Sequence, residues 1–309
     1  MKFVELLFFV GILLSCNSSR IKQNIQSDNK KPIQVLIKKG DSLRNIGKLS
    51  DAVIYYNKSY YMDSNNISLL YKISSAYSLS DNSDSAFLFL SKTINNDSSI
   101  KCFTNPDYFT LVGDKRWDSI RDVKTKLFQL TDCKVNDLCL SIKLWEIKMK
   151  DQAFYYNMKI DPKNKSKYWV IKDSINNENI QQVSNLLDSH GWPKQSTIGK
   201  EALVSIFLVM QHANLNIQKK YLPLLVEAAK ENETDKKSLA YLVDKINLAE
   251  GKKQIYGTQL DFDNETKTVY FNYGTLINPH SINDRRDSMN LESMEKYLMN
   301  WNIKWTPPK

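Results

Sequence analysis

The chain repeats itself at a fixed interval, and that interval limits what it can fold into. Ala52 lies in the stretch Gly47-Lys48-Leu49-Ser50-Asp51-Ala52-Val53, and 34 residues later comes Ala86, with Leu90 placed as Tyr56 is placed to Ala52. Gly40 with Ser74, and Leu43 with Tyr77, are pairs at the same spacing. A unit of this length holds two helices, and a single unit cannot bury its apolar face, so neighbours must stack and about three are needed. Residues 33–100 supply two, so the segment after them has to close the array. The expected cap is residues 105–120, with Tyr108, Phe109, Leu111 and Trp117 on the packing side.

The small residues at Ala52 and Ala86, inside this period, make the segment resemble the tetratricopeptide repeat family over about 70 residues. Departures are Ser64 and Ser98, where that family usually has proline, and Ser59 and Thr93, where it has alanine. The resemblance implies a concave groove lined by Gln34, Ile37, Asp41 and Arg44 and then by Ser68, Tyr71, Ser75 and Ser78, offered to a protein or peptide partner. The lysines and asparagines with which one subgroup grips a peptide's terminal carboxylate are missing. A spacer role stands beside the docking role.

The first sixteen residues, MKFVELLFFVGILLSC, place one lysine before an apolar run too short for the ~20-residue helix that spans a bilayer, but of the size of a secretory signal. Leu13-Leu14-Ser15-Cys16 resembles the lipobox of bacterial lipoproteins, which implies cleavage before Cys16 and acylation of it. Residues 17–31 are polar and read as a flexible tether. The expectation is a protein of the cell envelope, lipid-anchored outside the cytoplasm, on the outer membrane or a periplasmic face, with no other membrane attachment.

A net charge of +9 raises the question of nucleic acid, as do the lysines and aromatics mixed through residues 143–172. Export and the lack of a recognition motif argue against it, so no nucleic-acid partner is expected. His190, His212 and His280 are isolated from one another and from cysteine pairs, so neither a metal nor another cofactor is expected. A Cys133–Cys139 bridge requires a helix that starts after Cys133, with Asn136 or Asp137 as its cap.

Beyond residue 131 the repeat gives way to helical patterns. A long helix is expected through Leu138, Ile142, Trp145, Met149 and Phe154, another from a cap at Asn177 to Gly191, then an apolar one in EALVSIFLVMQHA. Helices around YLPLLVEAA and LAYLVDKINLAE follow, then a β-hairpin of QIYGTQLDFD and KTVYFNY, and a terminal helix near LESMEKYLMNW. The fold class is therefore mainly α, with tetratricopeptide-like hairpins and a helical domain carrying one C-terminal hairpin. The expected divisions are 1–16, 17–31, 32–130 and 131–309.

Asp151-Gln152, Gly191-Trp192-Pro193, Gln211-His212-Ala213, Asp244, GKKQIYGTQ (residues 251–259) and Arg285-Arg286 occur in an order that resembles an uncharacterised bacterial domain found in lipoproteins behind such repeats. Lys245 and Asn290 depart from its pattern, which has arginine and glycine there. The resemblance implies architecture and no chemistry. GKKQIYGTQ is not a phosphate loop, because it follows a helix and opens none. Gly251 reads as a helix stop and Gly257 as a bulge. The candidate ligand-binding residues are Gln211, Asp244, Gln254, Tyr256, Thr258, Gln259, Arg285 and Arg286, with His212 as candidate general base. Two functions fit. In one, the repeats dock a protein while the C-terminal domain binds a peptide or glycan; in the other, the protein is an envelope hydrolase in which Gln259 and Arg285 assist His212. A structural His212, satisfied within the core, is the third possibility.

Overall fold

A computed structural model of the protein describes residues 31–131, 135–263, 265–266 and 268–307. The expected signal peptide, the tether up to residue 30, Cys16 and Cys133 lie outside the described residues. The protein is mainly helical, with a single two-stranded antiparallel hairpin near the C-terminus among the described residues. It forms two compact units, and the chain passes between them more than once. The first is Met1–Thr131 with Phe154–Lys165; the second is Asp132–Ala153 with Ser166–Lys309.

In the first unit, α1 (residues 31–45), α2 (Leu49–Met62), α3 (Ile67–Leu79) and α4 (Ser83–Ile94) form two helical hairpins. Asn66 and Asn82 start α3 and α4 by accepting the backbone N–H groups of Leu69 and Ser85, each at 3.1 Å. Residues 34 apart occupy like positions: Ala52 and Ala86, Tyr56 and Leu90, Ser59 and Thr93 are all fully buried. Ser59 and Thr93 are tolerated there because each hydroxyl donates back to its own helix, to Tyr55 O at 3.1 Å and Phe89 O at 2.8 Å. A Cβ on Gly40 would lie 2.5 Å from the Tyr56 ring, so only glycine lets the α1 backbone lie so close to that ring.

Beyond α4, α5 (Lys101–Thr104) and a 3-10 turn, Pro106–Leu111, lead into α6 (Arg116–Leu130). Tyr108 and Trp117 from this stretch are fully buried against the hairpins. A second closing piece comes from beyond the expected boundary. The ring of Phe154 meets Phe109 edge-on at 5.3 Å, and the hydroxyl of Tyr156 donates to Arg44 O at 2.5 Å. The continuous helix expected through Phe154 is therefore corrected. α7 (Leu138–Asp151) stops, Phe154 turns left-handed at φ 68°, and α8 (Tyr155–Ile160) begins afresh. The apolar spacing of three and four residues that runs from Leu138 to Met149 is broken at Phe154, five residues on, whose ring packs on Phe109 of the first unit.

The second unit packs α7 against α11 (Lys200–His212). α9 (Lys165–His190) starts twelve residues before Asn177, a second correction. Its buried stripe, Lys172, Ile175, Asn179, Val183 and Leu187, runs straight past Asn177, so the asparagine lies inside the helix and caps nothing. Gly191, at φ 68°, follows its end. A short α10 (Gln195–Ile198) precedes α11, whose Ala202, Leu203, Ile206, Val209 and Met210 are buried. α12 (Leu215–Lys230) and α13 (Lys236–Ala249) pack together through Leu225, Leu242 and Ile246. A further cluster of Phe271, Leu276, Ile282, Met294, Tyr297 and Leu298 joins α14 (Ile282–Ser288) to α15 (Met294–Met299). No helix among the described residues is long and apolar enough to cross a membrane.

The hairpin is shorter than its pattern. Only β1 (Asp261–Asp263) and β2 (Thr268–Tyr270) pair, with Phe262 opposite Val269. Residues 252–260 form an irregular loop instead of a strand, touching the chain beyond the hairpin through one parallel bridge, Gln254 to Leu276.

Candidate functional site

The loop is irregular because a buried carboxylate organises it. Asp244, fully buried on α13, accepts Ile255 N at 2.7 Å and Tyr256 N at 3.0 Å on one oxygen, and Thr258 N and Oγ1, both at 2.9 Å, on the other. Amides that a strand would have aimed at a neighbour converge here on one anion. The loop's carbonyls face cations. Arg285 donates through Nε to Ile255 O at 2.6 Å, and Arg286 through Nη1 to Tyr256 O at 2.7 Å and Gly257 O at 3.3 Å. The Gln254 side chain holds both backbone groups of Gln259, its oxygen accepting N–H at 2.9 Å and its nitrogen donating to the carbonyl at 3.2 Å. Gly257 sits at φ 63°, where a Cβ would press on Met294 at 3.2 Å. At the loop's entry, Gly251 N bonds Leu248 O at 3.0 Å and Lys252 N bonds Asn247 O at 2.8 Å, which closes α13 with a left-handed stop.

This framework shapes one wall of a cleft of about 370 Å³. The end of α11, the middle of α13, the loop, β1, β2, and α15 with the turn after it contribute Gln211, His212, Tyr241, Lys245, Thr258, Gln259, Asp261, Phe262, Val269, Tyr297 and Trp301. His212 is 28% exposed and its Nδ1 lies 2.6 Å from Oδ1 of Asp151, a carboxylate that is 1% exposed. The other Asp151 oxygen accepts Gln152 Nε2 at 2.6 Å, and its backbone carbonyl accepts Lys172 Nζ. Against an ionised carboxylate Nδ1 is the donor, which in the neutral imidazole leaves the lone pair on Nε2. Burial pushes the Lys172 ammonium below the usual lysine range, opposed by the nearby Asp151 charge. Lys245 donates to Gln211 O at 2.5 Å, and burial likewise lowers it. The Gln259 amide nitrogen reaches Tyr241 O at 3.3 Å and Thr258 Oγ1 at 3.0 Å, so its oxygen is the atom left for a ligand.

Among the residues expected to form a site, the structure brings Gln211, His212, Thr258 and Gln259 to one cleft. Asp244, Gln254, Arg285 and Arg286 stand behind it, their polar atoms turned to the loop's backbone. Tyr256 joins them through its main chain, and burial, then the Asp244 charge, pushes its hydroxyl upward. Sequence reasoning singled out Asp151 only as a landmark and missed the roles of Lys245, Tyr241 and Tyr297. Asp151 lies 61 residues from its histidine. The one available signal was a carboxylate followed by an amide at the end of an apolar helix. In the first unit, Asp41, Arg44, Tyr71 and Ser75 from the expected groove line a smaller cleft of about 310 Å³. Its cations are largely matched: Arg44 pairs with Asp107 at 2.6 Å and Lys72 with Asp41 at 2.7 Å. Asp137 caps α7 through Leu140 N at 2.8 Å, and Cys139 is an exposed free thiol.

No curated protein and no solved structure matches the chain. Asp151 lies just outside the segment that does find a counterpart, whereas His212, Asp244, the loop and both arginines fall inside it. That segment, residues 159–303, matches the model of DUF6624, a family of unknown function.

Proposed function

We propose that the second unit is a hydrolase in which His212 is the general base, working on a peptide or glycan ligand in an envelope protein anchored through Cys16. The observation that carries this reading is the buried Asp151 holding Nδ1 of His212 at 2.6 Å while the ring borders an open cleft. A carboxylate so placed fixes the tautomer and stabilises the imidazolium that forms when Nε2 takes a proton. The nucleophile is water. Its oxygen attacks an ester or amide carbonyl, its proton passes to Nε2, and His212 returns that proton to the departing alcohol or amine as the carbon–heteroatom bond breaks. Lys245 supplies the positive charge in the cleft that faces the negative charge developing on the carbonyl oxygen. The helical hairpins, read as tetratricopeptide-like repeats, dock a protein partner.

The test is turnover in heavy-oxygen water, with the label read in the product by mass spectrometry. His212→Ala and Asp151→Asn should each lower turnover at least about a hundredfold while the thermal transition persists. Undiminished turnover in His212→Ala would end the catalytic assignment and leave a binding cleft.

A further inference from the structure

The cleft beside His212 has an unusual rim. Phe262 is 53% exposed and Trp301 48%, and both are large rings standing at the edge of a polar floor. Phe262 lies on a two-stranded hairpin, too small to cover it, opposite Val269 in the same cleft. Tyr297 is buried in the wall, with Arg286 over its ring at 4.7 Å and its hydroxyl tied to Thr258 O at 2.7 Å, so the exposed ring surface belongs to Phe262 and Trp301. The same cleft holds amides with hydrogen-bonding capacity left over: Gln211, whose side chain has no partner among the described residues, and Gln259, whose side-chain oxygen has none among them either. The carboxylates of Asp151 and Asp244 are occupied elsewhere. The cleft therefore pairs exposed flat apolar faces with directional amides, beside one lining carboxylate, Asp261, and one ammonium, Lys245.

We propose that the cleft binds a saccharide, and that the bond His212 hydrolyses is an acyl substituent carried by a sugar ring. A pyranose has the matching chemistry: C–H faces that lie against Phe262 and Trp301, and hydroxyl edges that both donate to and accept from amides. A peptide would look for an enclosed side-chain pocket, which this open cleft lacks, or for strand pairing along β1 or β2. A nucleotide would look for a group of free cations, and Lys245 already donates to Gln211 O.

The substrate assignment rests on the hydrolase reading, and one experiment separates their failures. The full chain is titrated with chitotetraose, cellotetraose and tetra-alanine, and binding is followed calorimetrically in the parent, Phe262→Ala, Trp301→Ala and His212→Ala proteins. At least one saccharide should bind, and each aromatic truncation should weaken it about tenfold, the scale of a lost stacking contact. His212→Ala should retain the saccharide, because that residue acts on the bond. Release of acetate from chitotetraose, lost in His212→Ala, would support both readings together. Binding of tetra-alanine alone, or saccharide binding indifferent to both aromatic truncations, overturns the saccharide assignment. His212-dependent turnover of a peptide with no saccharide bound would overturn it too, while leaving the hydrolase standing. Phe262 and Trp301 are both exposed, so their truncation leaves the core in place.

Discussion

At the scale of single residues, the chemistry of the second unit is divided between two buried carboxylates with opposite duties. Asp151 faces a side chain that can change its charge; Asp244 faces backbone amides that cannot. Asp244→Ala should therefore cost about 3–5 kcal/mol in urea unfolding, because it strands buried N–H groups and leaves Arg285 and Arg286 beside an uncompensated loop. A loss under about 1 kcal/mol would mean that the loop holds itself. Which carboxylate did which could not be read from the sequence. The partners of Asp244 are main-chain groups, and every residue carries those alike. His212 was legible as a candidate because it ends an apolar helix, but its orientation depends on a residue one whole helix system away in the chain. Cys102 offers a test in the first unit. Burial pushes its thiol from 9.0 up to about 12. The folded protein keeps a proton that the unfolded chain releases, so this contribution is complete below about pH 9 and is lost as pH rises towards 12. The urea midpoint should fall across that window, and fall less in Cys102→Ala; parallel curves would contradict the burial. Buried Tyr71 and Tyr108, raised by the same cause, add to the fall in both proteins, so the thiol is read from the difference.

At the scale of elements, periodicity located helices well and their ends poorly. α2 to α4, α11 and α13 appeared where the apolar spacing placed them. α9 began early because its first two turns are mostly exposed and present no apolar stripe for the pattern to find; its buried stripe starts only at Lys172 and Ile175. The hairpin shrank because Gln254, Tyr256 and Thr258 alternate like a strand while the amides of Tyr256 and Thr258 answer to Asp244 and that of Gln254 to Thr275 O. Local alternation says nothing about which acceptor lies nearby. The first unit gives the matching prediction. A fragment of residues 32–100 should melt broadly and without cooperativity, since Tyr56, Leu90 and their neighbours need Tyr108, Trp117 and Phe154 over them. A fragment of residues 31–165 should restore a single sharp transition in circular dichroism. A sharp transition in the shorter piece would show that two hairpins suffice.

At the scale of the whole molecule, the fold class was legible because helix content is a sum over many windows in which local errors cancel. The allocation of segments to units was not, because a boundary is a property of contacts. Anchoring is tested most simply at this scale. Cys16→Ala should move the protein from the membrane pellet to the soluble fraction, and retention at the parent's level would contradict acylation. The piece from Phe154 to Lys165 has a further consequence for how the protein is made. The ribosome finishes residues 31–131 first, then must write α7 and the turn after it before Phe154 and Tyr156 emerge. Until then the Phe109 ring lacks its edge-on neighbour and the Arg44 carbonyl lacks its tyrosine hydroxyl. The nascent first unit waits, with an unfinished face, for a segment that the second unit's opening helix delays. A rare-codon pause placed within α7 would lengthen that exposure, and chaperone capture should rise there ahead of any other stretch of the message.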